Sequence, residues 1–312
     1  MNGKKNSPRN LVFSARKVDI GKIAANLKVS VNRVDQISVT IEGSGIYPDC
    51  IDVRENGDQV CIRGPETSTK ETTDTQVNVS IPPGTSVCIH NIRGIVDIEE
   101  VDGTLKLIDV TAAKIGKIHD AFIVTRENSQ VTIKQISGTL MARVGASSKI
   151  TIAEGFITML DAQVVERGEF TFQGIAENAS VELSYDGKAD IRQIINELTA
   201  TIKFSSNTCA GLVVMNGPQF SLLSINTGGN INIKNMPQGL YARITNDQGL
   251  IVIENGFVQM IDASTTLGKT TFRGFAREAI LKGNVEINHV EKQPLGLECD
   301  SVLVKNWIDL KT

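Results

Sequence analysis

The sequence predicts an all-β protein, a β-solenoid of about ten coils of roughly 20 residues, right-handed and parallel in the manner of a β-helix. Two observations lead there. Short stretches alternate apolar and polar residues, which is the period-two signature of strands with one buried face. These stretches also recur at a spacing of about 20 residues, the length at which a stacked coil repeats.

The recurring unit is a triplet: VDI at Val96–Ile98, VTI at Val131–Ile133, ITI at Ile150–Ile152, FTF at Phe170–Phe172 and ADI at Ala189–Ile191. INI at Ile231–Ile233, IVI at Ile251–Ile253, TTF at Thr270–Phe272 and VEI at Val285–Ile287 continue it, and the match is poorer around Ala210–Val214. A further apolar residue follows most triplets, namely Val101, Ile136, Ile175, Ile194, Met236, Phe275 and Val290. Apolar pairs such as Leu140/Ala142, Leu160/Ala162, Leu240/Ala242 and Ile261/Ala263 make a second strand per unit. Leucine-rich repeats share the period, but their Asn ladder and leucine frame are missing. VDGT, ISGT, YDGK and NTGG supply Gly and Asp where coils change direction.

Segment boundaries follow from changes in this pattern. Residues 1–36 read as a cap or lead-in, and 37–85 as a hairpin-rich start in which Asn56-Gly57 signals a tight turn. Within that start, 66–75 is polar, aperiodic and the expected mobile loop. Regular coils are expected over 86–290, and a cap holding the single tryptophan, Trp307, over 291–312.

The stretch from about Ile37 to Ile152, with ISVTIEGSG, IDVRENGDQVCIRGP and VNVSIPPGTSVCIHNIRGIVDIEEVDGTLKL, resembles the adhesin-head GIN domains and the related toastrack β-solenoid families of bacteria. The resemblance implies a β-solenoid and brings no catalytic residues. It also implies a place outside the cytoplasm, attached to or exported across an envelope. This chain shows no signal-peptide-like apolar run, so the expectation is a cytoplasmic protein, with leaderless export or surface exposure as the alternative.

Composition excludes more than it assigns. A chain of 312 residues with 41% hydrophobic content can bury a large core. A formal charge of −3 argues against nucleic acid as a general partner, and aromatic residues at 4% argue against a stacking platform. Five scattered cysteines with no close pair read as free thiols, with a Cys50–Cys61 bridge left open. No stretch approaches the roughly 18 apolar residues of a membrane span.

Three chemistries compete with a structural role. Ile23–Val34 fits a helix-turn-helix frame that would carry Asn32 and Arg33 into a DNA groove, yet the same letters read as alternating strands that cap the first coil. The outward middle residues of the triplets, Asp97, Thr132, Thr151, Thr171, Asp190, Asn232, Val252, Thr271 and Glu286, are mostly threonine rather than the carboxylates of a polysaccharide-cleaving β-helix. Cys88 and His90 share one strand face as two metal ligands, fewer than a structural zinc wants, and Cys88 is expected to pack in the core. No nucleotide, hydrolase or zinc-protease motif is present, and no cofactor is expected.

One feature remains as a candidate binding surface. GFITMLDA at Gly155–Ala162 returns as GFVQMIDA at Gly256–Ala263, and the echo extends to Arg143 with Arg243 and Asp161 with Asp262. Duplication of a block of coils explains it, and predicts outward Arg143–Asp161 and Arg243–Asp262 ion pairs on adjacent coils. The function expected is a non-enzymatic structural or interaction scaffold with a protein partner or self-association. An adhesin-like or polysaccharide-active protein is the alternative, with a glycan as its ligand, and DNA binding through 23–34 is the second alternative.

Overall fold

The computed structural model describes residues 7–44, 47–65, 74–203, 211–217, 222–227, 229–246, 248–290, 295–298 and 303–307. The chain is a β-solenoid, 77% strand, of about eight turns where the periodicity predicts ten. Part of the N-terminal strand set pairs antiparallel and adds no turn, and coils vary in length, the step from Ala189 to Leu212 being longer than that from Thr270 to Val285. Among the described residues there is no α-helix, and no helix long and apolar enough to cross a membrane. Contacts divide the chain into two units, Met1–Arg143 with Ser148–Ala153, and Val144–Ser147 with Glu154–Thr312.

The first unit contains β1 (Arg9–Phe13), β2 (Lys17–Gly21), β3 (Asn26–Val31), β4 (Ile37–Glu42), β5 (Asp52–Asn56), β6 (Gln59–Arg63), β7 (Gln76–Ile81), β8 (Ser86–Val124) and β9, which runs from Gln130 to Val144. Strand β2 lies between β6 and the start of β8, parallel to both. Strand β3 lies likewise between β7 and β8. The first coil in sequence is therefore an inner coil in space. Beyond β7, β4 and then β1 add antiparallel strands. Strands β5 and β6 form the hairpin that Asn56-Gly57 signals, with Gly57 at φ 60°, the left-handed conformation its first turn position needs. Residues 66–73 of the expected mobile loop lie outside the described residues.

The helix-turn-helix frame over Ile23–Val34 is overturned. Leu27 and Val29 are buried at 2% and 0% exposure and Lys28 points out, so period two wins and the segment is β3. Asn32 follows in a turn, accepting from the Val34 amide at 3.0 Å.

The second unit contains β10 (Lys149–Val164, its first residues lying in the first unit), β11 (Glu169–Ser184), β12 (Lys188–Lys203), β13 (Gly211–Asn216), β14 (Leu222–Thr227) and β15 (Asn230–Asn246). It continues with β16 (Leu250–Ile253), β17 (Gly256–Thr265), β18 (Lys269–Lys282), β19 (Val285–Val290), β20 (Leu295–Glu298) and β21 (Leu303–Trp307). From β11 onward every described pairing is parallel, and strand pairing passes residue 290: β20 pairs with β18, and β21 with β19. The side chain of Trp307, like Cys209 and Cys299, lies outside what is described.

The core is the stack of inward triplet residues. Val96, Ile98, Ile133, Ile152, Phe172, Ile191, Ile233, Ile253, Phe272 and Ile287 are all buried. Within each unit these residues stack on the matching positions of neighbouring coils, and burial of apolar area is the main stabilising term, near 25 cal/mol per Å². Two coils without a recognised triplet use Ala113/Ile115 and Leu212/Val214 instead. A further difference lies at Ile175 and Phe275. In-out alternation runs unbroken through the register shifts that follow Phe172 and Phe272, which leaves these residues partly outward and Ala176 and Ala276 inside. Gly174 and Gly274 mark these shifts, since a Cβ there would collide with the carbonyl oxygens of Gly155 and Gly256.

Candidate functional site

The echoed block is visible as packing. Ala142, Leu160, Ala162, Ala242, Ile261 and Ala263 all face inward, at 2% exposure or less. The alternation then sends Arg243 and Asp262 to the outer face of the second unit, on β15 and β17, where they are direct partners in the parallel register. The Arg243 Nε lies 3.8 Å from Asp262 Oδ2. Tyr241 completes the group: its hydroxyl donates to Asp262 Oδ2 at 3.2 Å and accepts from Arg243 Nη2 at 3.3 Å. The Arg243 guanidinium also lies 5.7 Å from the Tyr241 ring centroid. The hydrogen bond to Tyr241, before the charge of Asp262, raises the pKa of Arg243 further above its ordinary value. Met260 stands beside Tyr241 in the register and is half-buried.

In the first copy of the block, Arg143 is exposed and belongs to the first unit, whereas Asp161 is half-buried and belongs to the second. Tyr241 was not singled out by the sequence, although a signal exists: the echo places it opposite Met141. The second copy thus combines the Arg and Asp with an aromatic hydroxyl that the first copy lacks.

Other candidates land elsewhere. Cys88 does not pack in the core. It sits half-buried on the outer face of β8, in register with Asp19 of β2, which is in register with Cys61 on its other side. Burial, and next the Asp19 carboxylate, push the Cys88 thiol above its usual pKa, which disfavours the nucleophilic thiolate. His90 Nε2 lies 3.2 Å from Asp19 Oδ1, but outside hydrogen-bond geometry. Among the described residues no three His, Cys, Asp or Glu side chains gather as a metal-holding group. Cys50, Cys61 and Cys88 are free. The outward residues Asp97 and Thr132 edge an open groove of about 500 Å³ in the first unit, with Lys28, Glu99, Lys114 and Lys134 around Gly116.

No family model matches the sequence, and no curated protein matches it. Among solved structures the chain is similar to a provisionally named adhesin of Bacteroides fragilis, at 10% identity and TM-score 0.30, over 96% of this chain and 97% of that one. It is similar to another of Parabacteroides distasonis, at 10% identity and TM-score 0.38, over 90% and 98% of the two chains. A third, from Parabacteroides merdae, has 11% identity and TM-score 0.35 over 90% and 96%. The likeness is one of architecture, and it sets no residue of this chain against a residue of known role.

Proposed function

We propose that this chain is a non-enzymatic scaffold that binds a protein partner, or a second copy of itself, through the outer face carrying Tyr241, Arg243, Met260 and Asp262. The observation that supports this reading is the makeup of that face. Tyr, Arg and Met are enriched at protein interfaces, and Tyr and Arg supply a large share of hot-spot energy. Here they sit on paired strands, and Tyr241, Arg243 and Asp262 already hold one another in place. Little side-chain freedom is left to lose on association. The free thiols of Cys50, Cys61 and Cys88 suit a reducing compartment, and the proposal places the scaffold in the cytoplasm.

The test is affinity purification from native lysate with sizing and imaging of the complexes, for the wild type and for Tyr241→Ala combined with Arg243→Ala. A larger assembly that loses at least about 2 kcal/mol of binding in the double variant is the expected result. The circular-dichroism spectrum should stay unchanged. A lone monomer for the wild type, or an assembly indifferent to the double variant, defeats the proposal, and cell fractionation checks the compartment.

A further inference from the structure

In the second unit three successive coil corners stack at Ser147, at Glu166 with Arg167, and at Tyr185 with Asp186, all with left-handed φ of 53°, 49°, 65°, 48° and 67°. The Gly168 amide donates to the Val165 carbonyl at 2.8 Å and the Gly187 amide to the Ser184 carbonyl at 3.1 Å. Each bond closes a turn whose two central residues are both left-handed, the pattern of a type I′ turn. Such turns favour Asn-Gly, because few side chains tolerate the left-handed region. Here the central residues are Glu-Arg and Tyr-Asp.

The corners are laced together, Ser147 N donating to Glu166 O at 3.0 Å and Arg167 N to Tyr185 O at 3.1 Å. Over them opens a crevice of about 380 Å³, lined by Ala146, Ser147, Glu166, Arg167, Tyr185 and Asp186. Tyr185 is 61% exposed.

The geometry points to a binding site for a neutral hexopyranose, such as a terminal unit of a glycan. Glu166, Arg167 and Tyr185 stand where the turn itself prefers Asn, Asp or Gly, so their presence runs against local stability and calls for a role outside the turn. An exposed aromatic ring offers its electron-rich face to the weakly positive C–H face of a sugar. Around it the crevice holds donors on Arg167, acceptors on Glu166 and Asp186, and both on Ser147, which matches hydroxyl groups that donate and accept at once. One guanidinium against two carboxylates disfavours an anionic sugar. The volume lies at the small end of ligand sites, suited to one or two rings.

Ligand-observed saturation-transfer NMR on the full chain tests the site, with methyl β-glucopyranoside, methyl β-galactopyranoside and methyl α-mannopyranoside as probes and N-acetylneuraminate as the anionic control. At least one neutral glycoside should receive saturation, with Kd on the order of 1 mM. Tyr185→Ala and Arg167→Ala should each weaken it about tenfold or more, whereas Tyr185→Phe, which keeps the ring, should retain it. Tyr185→Asn with Asp186→Gly restores the preferred turn residues, and should abolish binding while raising the melting temperature. That pair separates loss of the site from loss of the fold. No transfer to any neutral glycoside, transfer to N-acetylneuraminate alone, or binding that survives Tyr185→Ala overturns the inference.

Discussion

Asp19 is the residue on which the inserted coil of the first unit is fastened. Arg63 donates to the Asp19 backbone oxygen at 2.8 Å and to that of Ile62 at 3.0 Å, and it pairs with Asp19 Oδ2. The three side chains are 21% to 27% exposed when His90 is included. The pair is thus neither a free surface pair nor a buried one, and its contribution is positional more than energetic. Gly21 makes the arrangement possible, because any Cβ there would occupy the His90 ring. Gly21→Ala should therefore push His90 off Asp19 and cost about 1–3 kcal/mol, the usual range for overpacking. Cys50→Ala, at an exposed site, should stay within about 0.5 kcal/mol of the wild type. Chemical denaturation of the three proteins decides it, and an unchanged midpoint for Gly21→Ala would remove His90 from the fastening.

At the scale of elements, the coil corners bury several polar residues. Thr85, Thr125, Ser129, Ser148 and Asn246 are all buried, and each serves a turn: Ser148 Oγ accepts from the Ser129 amide, and Thr85 Oγ1 donates to Pro82 O. Asn246 is the most fully used. Its Nδ2 donates to Gly249 O at 2.8 Å and Lys269 O at 3.0 Å, and its Oδ1 accepts from Gly249 N at 2.9 Å. Asn246→Ala strands these backbone groups out of water, and should cost about 2–3 kcal/mol in a thermal melt read at matched temperature. A cost below about 0.5 kcal/mol would show that the β15–β16 corner repacks without it. The corners were also the least legible part of the sequence. Alternation marks inward residues such as Ile133 and Ile253 directly, because a strand face repeats every second residue. YDGK marks the corner at Tyr185-Asp186, but Glu166-Arg167 carries no Asn-Gly or Asp-Gly signal, so its tight turn is invisible in the letters. Ile175 and Phe275 stand three positions after their triplets, as the buried Val101 and Ile136 do, but alternation continues unbroken through Gly174 and Gly274 and sends them partly outward. The Arg243–Asp262 pair was legible because the echo fixed both residues at once, while Tyr241 was not, since a single substitution within a repeat stands out only when both copies are compared in space.

For the whole molecule, the order of coils in space differs from their order in the chain, and the consequence concerns how the fold tolerates truncation. A repeat protein built by simple addition loses only its outer unit when a terminus is cut, because each unit touches its neighbours alone. Here β2 and β3 lie between strands that follow them in sequence, β6 and β7 on one side and β8 on the other. No local pattern announces this, since pairing between distant strands leaves no trace in short-range periodicity. Deleting residues 1–31 would remove an inner coil of the first unit and leave two rows of unpaired backbone groups facing the gap. Val18, Ile20, Leu27 and Val29, each at 2% exposure or less, would leave with it. Unpaired strand edges beside newly exposed apolar residues favour aggregation over a trimmed but native stack. Among the described residues, deleting 1–13 instead removes β1 as its one strand, which is exposed or half-buried along its length and pairs with β4. The shorter deletion should remain soluble with a near-native melting temperature, and the longer one should form aggregates on size-exclusion chromatography. If both remain soluble with native strand content, β2 and β3 are dispensable, and closure of the stack by β6 and β7 directly on β8 would be the better description of how the first unit folds.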